Sequence, residues 1–68
     1  MKVSDVFVAT GRETLVHVYS LEKEILWEGT INIIPLVFIN KQIVQLRPIS
    51  KDTLSLILDI STDMFLGI

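Results

Sequence analysis

The clearest pattern in the chain is a strict alternation of two sets of side chains near its C-terminal end. Leu54, Leu56, Leu58 and Ile60 alternate with Thr53, Ser55, Ile57 and Asp59. Every second side chain of a strand points to the same face of a sheet. We therefore predict a strand over residues 53–60 whose leucine face meets the core. Ile57 is the apolar exception on the opposite face.

A second pattern predicts a β-hairpin. Residues 14–19 place Val16 and Val18 on one face of a strand, and residues 24–28 form the returning strand. The segment 20–23 between them, polar except for Leu21, predicts a turn of about four residues. Tyr19 and Trp27 lie on opposing strands, so we expect a cross-strand aromatic pair.

Residues 42–49 predict one more strand, followed by a hairpin loop at 50–52. Simple alternation places Val44 and Leu46 on one face, and Ile43, Gln45 and Arg47 on the other. Pro48 cannot donate a backbone hydrogen bond, so it ends regular pairing or marks a sheet edge.

Two segments predict short helices. Ser4 as an N-cap, Asp5 in the first turn and Gly11 beyond the end predict a helix over residues 4–10. The β-branched residues there make a strand the alternative. Pro35 favours one helical turn over residues 35–39, and a hairpin turning at residues 40–41 is the competing interpretation.

These elements predict a small α+β fold, in which a short N-terminal helix accompanies an antiparallel sheet of about four strands. About a third of the 68 residues are β-branched, which favours strands. The length allows one domain, which we place at residues 1–60. Residues 61–68 form an apolar tail. Because the final strand is expected at the edge of the sheet, we predict a two-fold dimer through that strand and the tail. Folding of the tail back onto its own sheet is the alternative.

Composition and charge limit the setting of the protein. The longest apolar run, residues 33–39, is far shorter than the roughly 20 residues of a membrane-spanning helix, so we expect no membrane association. The absence of cysteine and of a signal-peptide pattern favours the cytoplasm.

Residues 30–51 carry three basic side chains, namely Lys41, Arg47 and Lys51, and no acidic side chain. Three dispersed cations are few for nucleic-acid binding, which needs about six to ten phosphate contacts.

Few chemistries are compatible with this composition. His17 is the only histidine, which excludes a two-histidine metal site within one chain. The three glycines are too far apart for a phosphate-binding loop, and no nucleophile-elbow motif occurs. The acids around residues 22–28 lack the spacing of a calcium loop. We therefore expect no enzyme activity, no metal and no cofactor.

Aromatic and apolar residues are the remaining candidates for a binding surface. Trp and Tyr are frequent anchors of protein interfaces, although packing against the sheet is the more ordinary role for both. The candidate partner-binding residues are Tyr19, Trp27, Ile57, Phe65 and Leu66.

The order of elements resembles that of a known group of proteins. A short helix after residues 1–3, strands at 16–19 and 25–29, the Ile34–Pro35 step and two final strands are similar to small uncharacterised accessory proteins of phages and mobile elements of Gram-positive bacteria. The similarity covers residues 1–60. It implies a cytoplasmic factor that binds and inhibits or adapts a host protein.

Three functional hypotheses follow from these patterns. The first is a non-catalytic protein-binding module of this accessory type, for example a defence-system inhibitor. The second is a small nucleic-acid-binding protein that acts as an oligomer through Lys41, Arg47 and Lys51. The third is a structural or assembly component of a phage.

Overall fold

A computed structural model describes residues 1–61 of the chain and confirms the α+β class. Its elements are α1 (Val3–Ala9), β1 (Leu15–Tyr19), β2 (Ile25–Thr30), a 3₁₀ turn (Ile31–Ile33), α2 (Leu36–Ile39), β3 (Ile43–Ser50) and β4 (Thr53–Leu58). The N-terminal helix and the helical turn after Pro35 are both present, which resolves the two alternatives that the sequence left open.

The four strands form one sheet in the order β2-β1-β4-β3. The pairs β1–β2 and β3–β4 are antiparallel hairpins, whereas β1 and β4 run parallel to each other at the centre. The expectation that the final strand lies at an edge is therefore wrong. The connection through the 3₁₀ turn and α2 carries the chain across the sheet, so β4 pairs on both sides and the edges are β2 and β3.

One face of the sheet is covered by the helices and forms the core. Val16 and Val18 of β1 and Leu56 and Leu58 of β4 are completely buried, as their alternation predicted. The helical and connecting residues packed against them are Val3, Ile31, Ile34 and Phe38. The opposite face carries no helix in the part of the chain that the structure describes, and we call it the open face.

Strand β3 does not have the simple alternation that the sequence predicted. Ile43 pairs with Leu58 and Leu46 pairs with Leu56, so both lie opposite core residues of β4. The register shifts between Ile43 and Gln45, which leaves Val44 as the extra residue of a β-bulge. The prediction that Ile43 shares a face with Gln45 and Arg47 was wrong, because a bulge moves the side chains that follow it to the opposite face of the sheet.

Helix α1 starts slightly earlier than predicted. Its N-cap is Lys2 rather than Ser4, and the backbone N–H of Lys2 donates to the Asp5 carboxylate over 2.8 Å. At the other end, the backbone N–H and hydroxyl of Thr10 both donate to the carbonyl of Val6. Gly11 follows this C-cap, beyond the end of the helix as predicted.

The β1–β2 connection is a tight turn around a buried serine. Ser20 is completely buried, its carbonyl accepts from the N–H of Lys23, and its hydroxyl accepts from the N–H of Glu24. Lys23 has a φ of 66°, in the left-handed region that glycine adopts most easily. The N–H of Leu21 donates to the carbonyl of Ile60, which joins the turn to the segment that follows β4.

None of the helices within residues 1–61 has the length and apolar character that a membrane crossing requires.

Candidate functional site

The open face is organised in three rows of side chains that run across all four strands. The alternation of β1 puts Leu15, His17 and Tyr19 on this face, since Val16 and Val18 point into the core. From the β2 edge to the β3 edge, the rows are Ile25–Tyr19–Ile57–Gln45, Glu28–His17–Ser55–Arg47 and Thr30–Leu15–Thr53–Ser50. The central row is acidic at one edge and basic at the other.

A shallow groove lies on this face between the aromatic side chain of β1 and the polar side chains of β3. It has a volume of about 200 Å³, and its lining residues are Tyr19, Lys23, Gln45, Arg47, Ser55 and Ile57. Pockets that hold drug-sized ligands usually have about 300–1,000 Å³ and enclose most of the ligand. The groove therefore suits one or two side chains of another protein better than a small molecule.

Tyr19 and Ile57 are brought together by the parallel pairing of the central strands. They are register partners on β1 and β4, and both are half-buried. Both were predicted as partner-binding residues, but from separate arguments, and only the tertiary structure makes them neighbours. They form the apolar centre of the groove, with the cationic residues Lys23 and Arg47 also in its lining.

His17 contacts the one acidic side chain of the central row. Its Nδ1 atom lies 3.6 Å from Oε2 of Glu28, with about a third of the histidine side chain and nearly two thirds of the glutamate side chain exposed. Ser55 is the register partner of His17 on β4. An exposed pair of this kind adds little to stability, about 1 kcal/mol at most.

Trp27, the other predicted aromatic anchor, lies on the covered face. Its register partner is Val18, a core residue, and the ring packs against the core. Tyr19 pairs instead with Ile25, because the register shifts between Val18 and Tyr19. The expected cross-strand pair of Tyr19 and Trp27 is therefore not formed, since the strand register puts the two rings on opposite faces.

The three cations of the nucleic-acid hypothesis are not brought together. Lys41 precedes β3, Arg47 is within it and Lys51 follows it, so they are spread along the whole strand. The two lysines lie at opposite ends of β3, and at about 3.3 Å per strand residue the distance between them approaches 30 Å. The cation with which Arg47 shares the lining of the groove is Lys23.

Three lining residues of the groove, Lys23, Gln45 and Ser55, were not among the predicted site residues. Polar residues in a turn or on a strand give no signal of their own, and only the tertiary structure reveals that they line one groove. The remaining predicted residues, Phe65 and Leu66, lie outside the described residues.

Both exposed sheet edges carry features that hinder pairing with another strand. Strand β3 contains Pro48 and has register shifts near both of its ends. Strand β2 carries the exposed Glu28 and the bulge at Leu26. Charges, prolines and bulges at edges oppose strand addition. The open face is therefore a better candidate for binding than either edge.

A second exposed apolar area lies on the helical side of the molecule. Val8 of α1 and Leu36 of α2 are each 84% exposed, and Phe7, Ile33 and Val37 are also exposed. The area shares no residue with the groove, because none of these five lines it. It provides a control surface for experiments on the open face.

Within residues 1–61, no three His, Asp or Glu side chains come close enough to hold a metal ion together. Comparisons of the chain with protein-family models, with curated proteins and with solved structures found no match.

Proposed function

We propose that this chain is a non-catalytic protein-binding module that docks through the open face of its sheet. The observation that carries the proposal is the Tyr19–Ile57 pair at the centre of a groove that Lys23 and Arg47 also line. An apolar centre that includes an aromatic ring, surrounded by charged and polar groups, is the usual anatomy of a protein interface.

The charges of the groove indicate what kind of partner would fit it. Lys23 and Arg47 contribute two positive charges to the lining, and no acidic side chain of residues 1–61 contributes to it. A partner segment that inserts an apolar side chain between acidic neighbours would therefore match both the centre and the rim. Complementary charges at a rim mainly increase association rate and specificity.

The biological setting that we propose follows from the resemblance to phage and mobile-element accessory proteins. In that setting the bound protein is a cytoplasmic host protein, which the module inhibits or adapts by covering part of its surface. The open face supports this proposal because covering part of a host protein requires only a contact surface and no reactive group.

Affinity capture from lysates of Gram-positive bacteria tests the proposal with matched variants. The first variant, Tyr19→Thr with Ile57→Thr, removes the apolar centre of the groove and places a strand-favouring residue at both positions. The control, Val8→Ser with Leu36→Ser, removes two exposed apolar residues from the helical side. We expect the groove variant to lose a specific protein that the wild type and the control both retain. Truncating an interface anchor weakens binding by roughly 30-fold or more.

Two results would contradict the proposal. One is a captured protein that the groove variant keeps and the helical-side variant loses, which would move the binding surface to the helices. The other is a series of lysates in which no protein depends on the groove. Circular dichroism of each variant must first show that it is folded.

One observation favours a second candidate function. Tyr19 shares its groove with two cations, and an aromatic ring beside cations is the usual platform for an unpaired base. The net charge of −2 opposes binding to a polyanion. We therefore place single-stranded nucleic acid second, with a mobility-shift assay as its separate test.

A further inference from the structure

The arrangement of charged side chains on the open face indicates what could bind there. In the central row, Glu28 on edge strand β2 and Arg47 on edge strand β3 are the outermost members, with His17 and Ser55 between them. Both charged residues are exposed. The row therefore carries opposite charges on strands equally far from the line between β1 and β4.

A two-fold axis along that line would bring the acidic edge of each copy opposite the basic edge of the other. When two such sheets stack face to face about an axis parallel to the central strands, β2 of each copy lies opposite β3 of the other, and β1 lies opposite β4. Glu28 of each copy then faces Arg47 of the other, so the dimer contains two such pairs. A two-fold axis across the strands would instead place Glu28 against Glu28 and Arg47 against Arg47, which like-charge repulsion disfavours.

We propose that a second copy of this chain occupies the open face, with Glu28 of each copy opposite Arg47 of the other. This inference rests on the proposed function, because it names a partner for the same surface. Isologous two-fold contacts of this kind are the commonest form of association between identical chains.

The other positions of the face agree with the same axis. Tyr19 of one copy meets Ile57 of the second copy, so the apolar centres cover each other. His17 meets Ser55, which is a hydrogen-bonding combination. Sheets packed face to face are about 10 Å apart, a separation that arginine and glutamate side chains can bridge together.

The proposed contact replaces the dimer through the final strand that the sequence suggested. Strand β4 is central and already paired on both sides, so its backbone cannot pair with a second copy. The free edges are hindered by Pro48, by bulges and by Glu28. A face-to-face contact needs no free backbone groups, so none of these obstacles applies to it.

The size of the face predicts a weak dimer. Four strands about 4.8 Å apart and five to six residues long give a footprint of roughly 350 Å² per copy. Stable interfaces usually bury about 800 Å² per partner. We expect a dissociation constant on the order of 100 μM. The dimer would therefore compete with a host protein only at high local concentration.

Charge exchange between copies gives a sharp test. Sedimentation or light scattering should show the wild-type mass rising from one chain towards two between about 10 and 500 μM. In a dimer of the Glu28→Arg variant, every facing pair would be two arginines. In a dimer of the Arg47→Glu variant, every facing pair would be two glutamates. Each variant alone should dimerise at least tenfold more weakly. An equimolar mixture of the two should associate at least as well as wild type, because every facing pair is then opposite in charge.

The mixture also controls for folding, since neither variant could restore association if it were unfolded. A chain shortened by deletion of residues 62–68 should still dimerise. The inference is overturned if the wild type stays at one chain throughout, if the single variants associate like wild type, or if the mixture does not recover. Loss of association on shortening the chain, with no effect of the charge variants, would assign the contact to residues 62–68 instead. A monomer that still captures a host protein through Tyr19 and Ile57 refutes the dimer and leaves the proposed function standing.

Discussion

The indole ring of Trp27 occupies the space that a side chain at Gly29, two residues further along β2, would need. A Cβ atom on residue 29 would be 2.9 Å from Cζ2 of the ring and 3.0 Å from Cη2, closer than real Cβ contacts allow. The ring is half-buried and packs against the core beside Val18. The absence of a side chain at residue 29 is what leaves room for the Trp27 ring in this position.

Substitution Gly29→Ala should therefore displace the Trp27 ring. We expect a loss of about 1–2 kcal/mol in the free energy of unfolding, typical of overpacking, and a red shift of tryptophan emission as the ring becomes more exposed. Gly11→Ala is the matched control, because the nearest atom to its added Cβ is 3.8 Å away. Emission unchanged from wild type in the residue 29 variant would show that the ring does not lie over this glycine.

The left-handed backbone of Lys23 predicts a substitution that increases stability. A non-glycine residue with a φ of 66° is strained, and glycine relieves that strain. We expect Lys23→Gly to raise the free energy of unfolding by about 0.5–1 kcal/mol in urea titrations. Lys23→Ala keeps the strain while removing the charge, so it should leave stability nearly unchanged. Equal stabilities of the glycine and alanine variants would contradict this account of the turn.

Removing the largest fully buried side chain of residues 1–61 should unfold a large part of the protein. Phe38 is 1% exposed and lies in the core beneath the sheet. Phe→Ala substitutions in cores cost about 3–5 kcal/mol, comparable to the whole stability of a domain of this size. Circular dichroism of Phe38→Ala should show mostly unfolded chain at 25 °C. The neighbouring Val37 is exposed, so Val37→Ala should stay within about 0.5 kcal/mol of wild type.

The distribution of cations predicts weak binding to nucleic acid. Lys41 and Lys51 are at opposite ends of β3, and only Lys23 and Arg47 share the groove with Tyr19. In a mobility-shift assay with single-stranded oligonucleotides at low salt, we expect dissociation constants weaker than about 10⁻⁴ M. Tighter binding that Arg47→Gln removes and Lys41→Gln does not would instead favour the second candidate function.

Local sequence determined the elements of this fold. The alternation from Thr53 to Ile60 identified β4 and its buried face, because the period of a strand is independent of its neighbours. Pro35 identified the start of a helical turn, because its fixed φ and missing N–H act on the nearest residues. The predicted hairpin from residue 14 to 28 was confirmed for the same local reason.

Only the tertiary structure decided the order of the strands and the faces of the side chains. The parallel pairing of β1 with β4 joins residues almost forty positions apart, and no local pattern encodes such a contact. It moved the final strand from the expected edge to the centre and made Tyr19 a neighbour of Ile57. The register of β1 against β2 separates Tyr19 from Trp27, and the bulge at Val44 reverses the alternation along β3. Sequence alone named the groove's aromatic residue, whereas the long-range register of β1, β4 and β3 placed Arg47 in the groove with it.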